Sequence, residues 1–251
     1  MKLTINTSFQ ENASNPYLLI LVDSEQLQKA ATSYEINNLS ALVEAAQFKA
    51  SFTESLPLIG KVAVCSNTVL IGIDKAADLQ ANKLAKIAQS IIKTSQKKFK
   101  QISIDISALA VEQHYLFALA LTQAAYAFDE YKSKKNEFIL ENIHLISNNS
   151  TLNPQQLNLI HAVQSGQNWA RDLGNRPGNI CFPEYLAEQA QALAAQYPDL
   201  LKVTVINEQQ MADLGMNAFL AVSKGSDRPG RVITLEYKAH TEQAPVVLVG
   251  K

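Results

Sequence analysis

The sequence predicts an α/β chain in two parts: a domain with a mixed, partly parallel sheet over residues 1–150, then the start of a second α/β structure over 151–251. Three observations predict it. Short runs of β-branched and aromatic residues alternate with stretches of helical period, the pattern of a layered α/β fold. Composition changes near residue 150: Arg171, Arg176, Arg228 and Arg231 all lie beyond it, with most of the glycines and prolines. The later segment then repeats the alternation of strand and helix by itself.

In the first part, Lys2 to Phe9, Tyr17 to Val22, Lys61 to Ser66, Thr68 to Ile73, Gln101 to Ile106 and Phe138 to Ser147 read as strands. Helices lie between them. Leu84, Ile87, Ala88 and Ile91 stand at i, i+3, i+4 and i+7, and Val111 to Tyr126 is apolar on nearly every face. Ser147 to Thr151 is polar and turn-prone, a linker. Asn153 followed by Pro154 opens a helix, with Asn as cap and Pro where a missing N–H costs nothing; it runs to about Leu173. Gly174 to Asn179 stops it. Pro183 opens another helix, with Leu186, Ala190, Leu193, Ala194 and Tyr197 as its apolar stripe. A strand at Val203 to Ile206, a short helix around Glu208 to Leu214, and strands at Val232 to Tyr237 and Val246 to Val249 complete the reading.

Composition narrows the function. With 22 Lys and Arg against 23 Asp and Glu, the summed charge calls for neither nucleic acid nor an anionic membrane. No window is apolar enough to span a bilayer and the start carries no signal peptide, so the chain reads as cytoplasmic. Cys65 and Cys181 are far apart, as reduced thiols of a cytosolic protein would be. His114, His144, His161 and His240 show no metal-ligand spacing and read as structural or surface residues. Gly225 to Val232 has the spacing of a phosphate-binding loop, but Arg231-Val232 replaces the Lys-Ser/Thr pair and a strand follows. Lys93, Lys97, Lys98 and Lys100 form a solvated helix end, with contact to nucleic acid as the sharper alternative. Arg171 and Asp172 stand at a helix end and read as structural residues, with an interface ion pair or an active-site wall as the sharper alternatives.

The last residues, Val246-Val247-Leu248-Val249-Gly250-Lys251, read as a buried parallel strand and then a lysine. In open α/β sheets ligands bind beyond the carboxyl ends of the strands, so Lys251 stands where a functional group is expected, although by itself it reads equally as a solvated terminal lysine.

Three segments, in order, resemble the cytosolic leucyl aminopeptidase family of two-metal exopeptidases. They are Trp169-Ala170-Arg171-Asp172-Leu173-Gly174-Asn175-Arg176-Pro177-Gly178-Asn179; Gly215 to Ser226 with Pro229-Gly230-Arg231 and Leu235-Glu236-Tyr237; and Val247-Leu248-Val249-Gly250-Lys251. The resemblance implies that 151–251 is the incomplete beginning of a C-terminal α/β/α metallopeptidase domain. It implies that Lys251 coordinates one of two divalent metals, Mn or Zn, as a neutral amine. It also implies peptide substrates, leucine favoured, and a homo-hexamer. The family's carboxylate ligands, second lysine and catalytic arginine lie further on than Lys251. The chain alone is therefore expected to bind no metal and to hydrolyse nothing, and its last hundred residues to be partly disordered or prone to associate. Phe182 replaces the family's usual hydroxyl residue before Pro183, which puts the helix cap there in question. The competing reading is a non-catalytic assembly or DNA-binding module.

Overall fold

The computed structural model describes residues 1–9, 17–58, 60, 62, 65, 67–238 and 244–250. Its contacts divide the chain into two compact units, Met1–Asn168 and Trp169–Lys251.

The first unit holds a six-stranded sheet made of β1 (Lys2–Asn6), β2 (Tyr17–Val22), β3 (Ser55–Pro57), β4 (Asn67–Gly72), β5 (Gln101–Asp105) and β6 (Asn142–Ile146). The order is β1-β6-β5-β2-β4-β3; all neighbours are parallel except β3, which runs antiparallel to β4. This is the mixed, largely parallel sheet the sequence predicts. The central strand β2 shows why it forms. Its run Tyr-Leu-Leu-Ile-Leu-Val is apolar at every position, so both faces can be covered. Leu18, Ile20 and Val22 pack on one side with Ala30, Tyr34 and Leu39, while Leu19 and Leu21 pack on the other with Ile87, Ile104 and Phe117.

Helices α1 (Leu27–Ser33) and α2 (Leu39–Ala45) cover the first face; α3 (Ala81–Ser95) and α4 (Val111–Ala124) cover the second. In α3 the buried residues include Leu84, Ile87, Ala88 and Ile91, the stripe the period predicts. In α4 the first-turn Gln113 accepts the Ala110 N–H through Oε1 at 3.0 Å and donates through Nε2 to the carbonyls of Ala76 and Leu79, tying the helix start to the preceding loop. Gly72 ends β4 against the turn at Ala50 and Ser51, where a Cβ would lie 2.2 Å from the Ser51 carbonyl oxygen. Its amide donates to Glu54 and its carbonyl accepts from Thr53.

Helix α5 (Pro154–Asn175) opens as expected: Asn153 Oδ1 accepts the Gln156 N–H at 3.0 Å, and Gln156 Oε1 accepts the Asn153 N–H at 3.1 Å. The division between the units falls inside this helix, later than the composition change at 150, because Leu157 and Ile160 pack into the core of the first unit.

The second unit contains α6 (Pro183–Gln196), β7 (Leu201–Ile206), α7 (Glu208–Asp213), α8 (Asn217–Ser223) and β8 (Val232–Tyr237). β7 and β8 pair antiparallel, Leu201 opposite Tyr237 and Ile206 opposite Val232.

Several elements differ from the sequence reading. Val246 to Val249 form no strand: their side chains are 74–93% exposed and no described backbone pairs with them. A strand needs a neighbour for its N–H and C=O groups, and the two-stranded β7-β8 sheet does not extend to this run. Strands β1 and β6 are shorter than the runs that predict them, since Thr7 to Phe9 bend away and Phe138 to Glu141 connect by loop hydrogen bonds. The expected strand at Lys61 to Ser66 lies mostly outside the described residues; Val62 makes an isolated antiparallel bridge to Ile36.

Candidate functional site

The second unit carries the motif residues, and its arginines gather on the start of α6. Pro183 sits in the first turn of α6 behind Phe182, which caps the helix by conformation alone. The Phe182 ring is held instead by the Arg228 guanidinium, 4.3 Å from its centre. One residue past Pro183, Glu184 forms an ion pair with Arg231. Arg176 lies over the Tyr185 ring at 5.5 Å. Three of the four arginines that mark the second half thus fasten one helix end, each to a different residue. Arg171 and Asp172 also have partners in the structure.

The loop before β8 is built the same way. Glu208, in the first turn of α7, accepts the Gly230 N–H at 2.9 Å. That hydrogen bond, then the Ser223 hydroxyl and the charges of Arg231 and Lys224, hold its carboxyl below the usual range. Gly230 is required because a Cβ would fall 2.7 Å from that of Ser223. With a carboxylate seated on the Gly230 amide, the loop from Gly225 to Val232 cannot cradle a phosphate.

Lys251 and His240 lie outside the described residues. Among the described residues no three His, Cys, Asp or Glu side chains group closely enough to hold a metal ion. His144 and His114 sit in structural positions. His144 bridges strands, with Thr4 Oγ1 at 2.7 Å on Nδ1 and Gln101 Oε1 at 3.2 Å on Nε2. His114 is fully buried, its Nδ1 3.1 Å from Ser150 Oγ. Burial lowers the pKa of both. Lys93, Lys97, Lys98 and Lys100 are exposed, as a solvated helix end requires. No described helix is long and apolar enough to cross a membrane.

The sequence reading passed over one constellation in the first unit. Asp105, at the carboxyl end of β5, accepts the Tyr34 hydroxyl on Oδ2 at 2.9 Å and the Ser107 N–H on Oδ1 at 2.8 Å. It lines a cavity of about 250 Å³. The available signal was a carboxylate closing an apolar parallel strand, Ile102-Ser103-Ile104-Asp105.

A largely parallel α/β unit is thus followed by a second α/β unit that carries the arginine-fastened motif. The sequence matches the N-terminal domain of the cytosol aminopeptidase family over residues 18–135 and that family's catalytic domain over residues 168–251. The chain belongs to the cytosol aminopeptidase family. Its relatives include proteins named "Probable cytosol aminopeptidase" from Acinetobacter baumannii, 68% identical over 251 residues, and from Acinetobacter baylyi, 62% identical. In both cases the match covers 100% of this chain and 52% of the relative. Another, from Pseudomonas aeruginosa, is 37% identical over 73% of this chain and 39% of the relative. Among solved structures, a mutant tomato leucine aminopeptidase superposes with a TM-score of 0.77 at 18% identity, over 97% of this chain and 52% of that one. A bottromycin maturation enzyme in complex with Mn gives 0.67 at 17%, over 89% and 45%. The chain thus spans about half the length of the curated relatives it matches.

Proposed function

We propose that this chain is the front portion of a leucyl aminopeptidase-type metallo-exopeptidase, which removes N-terminal amino acids from peptides in the cytoplasm. The observation that carries the reading is the match to both domains of one family, in order, along a single chain. The manganese in one structural neighbour fits the proposal that the complete enzyme uses two divalent ions, Mn or Zn. Lys251 would be one metal ligand, as its neutral amine, a form a lysine reaches readily beside a dication. The composition change near 150 would mark the seam between the family's two domains, with 151–251 as the incomplete beginning of the catalytic one. The complete enzyme would assemble as a homo-hexamer.

The described residues give no cluster of carboxylates, histidines or cysteines for such ions. The carboxylate ligands would come from chain beyond Lys251, and the 251-residue chain would be inactive by itself. What its own residues do is hold a frame: Arg228, Arg231 and Arg176 fix the start of α6, and Glu208 fixes the turn into β8.

The test is leucine release from a leucyl peptide with Mn or Zn supplied, by the 251-residue chain alone and by the same chain joined to the remaining half of a relative. No release alone, release when joined, and its loss in the joined Lys251→Ala protein are expected. Release by the short chain, or full activity of the joined Lys251→Ala protein, would overturn the proposal.

A further inference from the structure

The cavity beside Asp105 lies at a particular place in the sheet. From β2 the chain leaves by α1 and α2 to the edge strand β3, which returns antiparallel into β4, on one side; from β5 it crosses by α4 to β6 on the other. β2 and β5 are neighbours, and their crossovers leave in opposite directions and on opposite faces. In open parallel sheets the crevice outside the carboxyl ends of two such strands is where ligands bind. Val22 and Asp105, the last residues of β2 and β5, both line the cavity.

Its lining is chemically divided. Ile20, Val22 and Ile146 present an apolar floor. Asp105 presents a carboxylate that is already aimed, because the Tyr34 hydroxyl and the Ser107 amide each take one of its oxygens and, among the described residues, leave the remaining lone pairs free. Burial, then the charge of Asp105, raises the pKa of Tyr34, which keeps the phenol a donor. Lys29, exposed, contributes the cation of the lining. Neither Asp105 nor Lys29 has an ion-pair partner among the described residues.

One anion, one cation and an apolar floor suit a zwitterion with an apolar side chain. A phosphate-bearing ligand would bring its charges against Asp105 with a lone lysine to offset them. A purely apolar one would strip water from the carboxylate without replacing it. The volume, about 250 Å³, falls below the range of roughly 300 Å³ and upward typical of drug-sized ligands.

We propose that this cavity binds a free aliphatic α-amino acid, its ammonium on Asp105, its carboxylate toward Lys29 and its side chain on Ile20, Val22 and Ile146. Such an amino acid is the class of molecule the proposed reaction releases, but the site stands on its own residues. Its test reads binding without turnover, so an inactive chain answers it equally well.

The experiment is an amide-shift titration of the 251-residue chain with L-leucine. The amides of Gln26 to Tyr34 and Asp105 to Ala108 are expected to move together, with a Kd of about 1 mM or tighter. N-acetyl-leucine, which lacks the ammonium, and isopentylamine, which lacks the carboxylate, are expected to bind at least about tenfold more weakly. Asp105→Asn should weaken leucine by about tenfold or more; Lys29→Gln, a surface change that leaves the fold alone, should weaken it several-fold. Unmoved amides at those positions, equal binding of N-acetyl-leucine, or undiminished binding by Lys29→Gln would each overturn the proposal.

Discussion

Residues 1–168 and 169–251 are made of the same kinds of element and bury them to different extents. In the first unit every central strand is covered on both faces, and Leu18, Ile20, Ile102, Ile104, Ile143 and Leu145 are at most 1% exposed. In the second, β7 is half-buried at best, while Leu235 and Tyr237 of β8, Phe219 and Val222 of α8, and the run Val246 to Val249 all face solvent. The difference teaches that α/β alternation alone does not make a core. A sheet buries its apolar residues only when each face has a layer on it, and β7-β8 has too few strands and helices around it to manage that. Apolar surface of this extent marks a face meant to be covered.

Substitutions sharpen the contrast, beginning with the largest effect. Phe117→Ala, at the fully buried centre of α4, should cost about 3–5 kcal/mol in denaturant unfolding, while Leu248→Ala should change stability by less than about 0.5 kcal/mol. A large cost at Leu248 would mean that the terminal run is packed in solution, and the contrast would break. Gly72→Ala should cost about 1–3 kcal/mol, because the new methyl meets the backbone of Ala50 and Ser51 within 2.6 Å and backbone cannot easily give way.

In the second unit the expected effects are smaller. Arg231→Ala and Arg228→Ala should each cost about 0.5–1 kcal/mol, the first by removing a partly exposed ion pair with Glu184, the second a cation–π contact with Phe182. Phe182→Ser would test that contact from the other side: if the side-chain cap it restores more than replaces the lost ring, stability rises instead of falling.

The last effect is a slope. Burial depresses the pKa of His114, so the folded chain binds this proton less readily than the unfolded chain does. Stability contributed by the neutral imidazole is present above the unfolded value of about 6.5 and is lost as pH falls through and below it. The unfolding midpoint of the first unit should drop between about pH 7 and pH 5. His114→Gln should flatten that drop without altering the second unit.

Much of the fold was legible because it is written in periodicity. The six apolar residues of β2, the stripe of α3, and the Asn153-Pro154 start of α5 each fix an element from local chemistry. The stretch between β2 and β4 was not legible. Its turns place Glu35, Asn38, Gln47, Ala50 and Thr53 at positive φ, a conformation that residues such as Gln, Ala and Thr do not announce. α8 is short and starts at Met216 without a side-chain cap, so it too left no signal. The opposite error arose at Val246 to Val249, where composition alone spells a strand that needs a partner to exist. Of the candidate sites, the motif around Arg176, Arg228 and Arg231 was readable from residue order. Asp105 with Tyr34 was not, since only the sheet topology brings β2, β5 and α1 to one crevice.

The central claim, that this chain is the front portion of a longer aminopeptidase, is tested most directly by the intact mass of the polypeptide in the source cell. A mass roughly twice the 27.6 kDa of these 251 residues is expected, as the 52% share of the relatives' length implies. A native polypeptide of 27.6 kDa would contradict the claim and leave a module without the catalytic half.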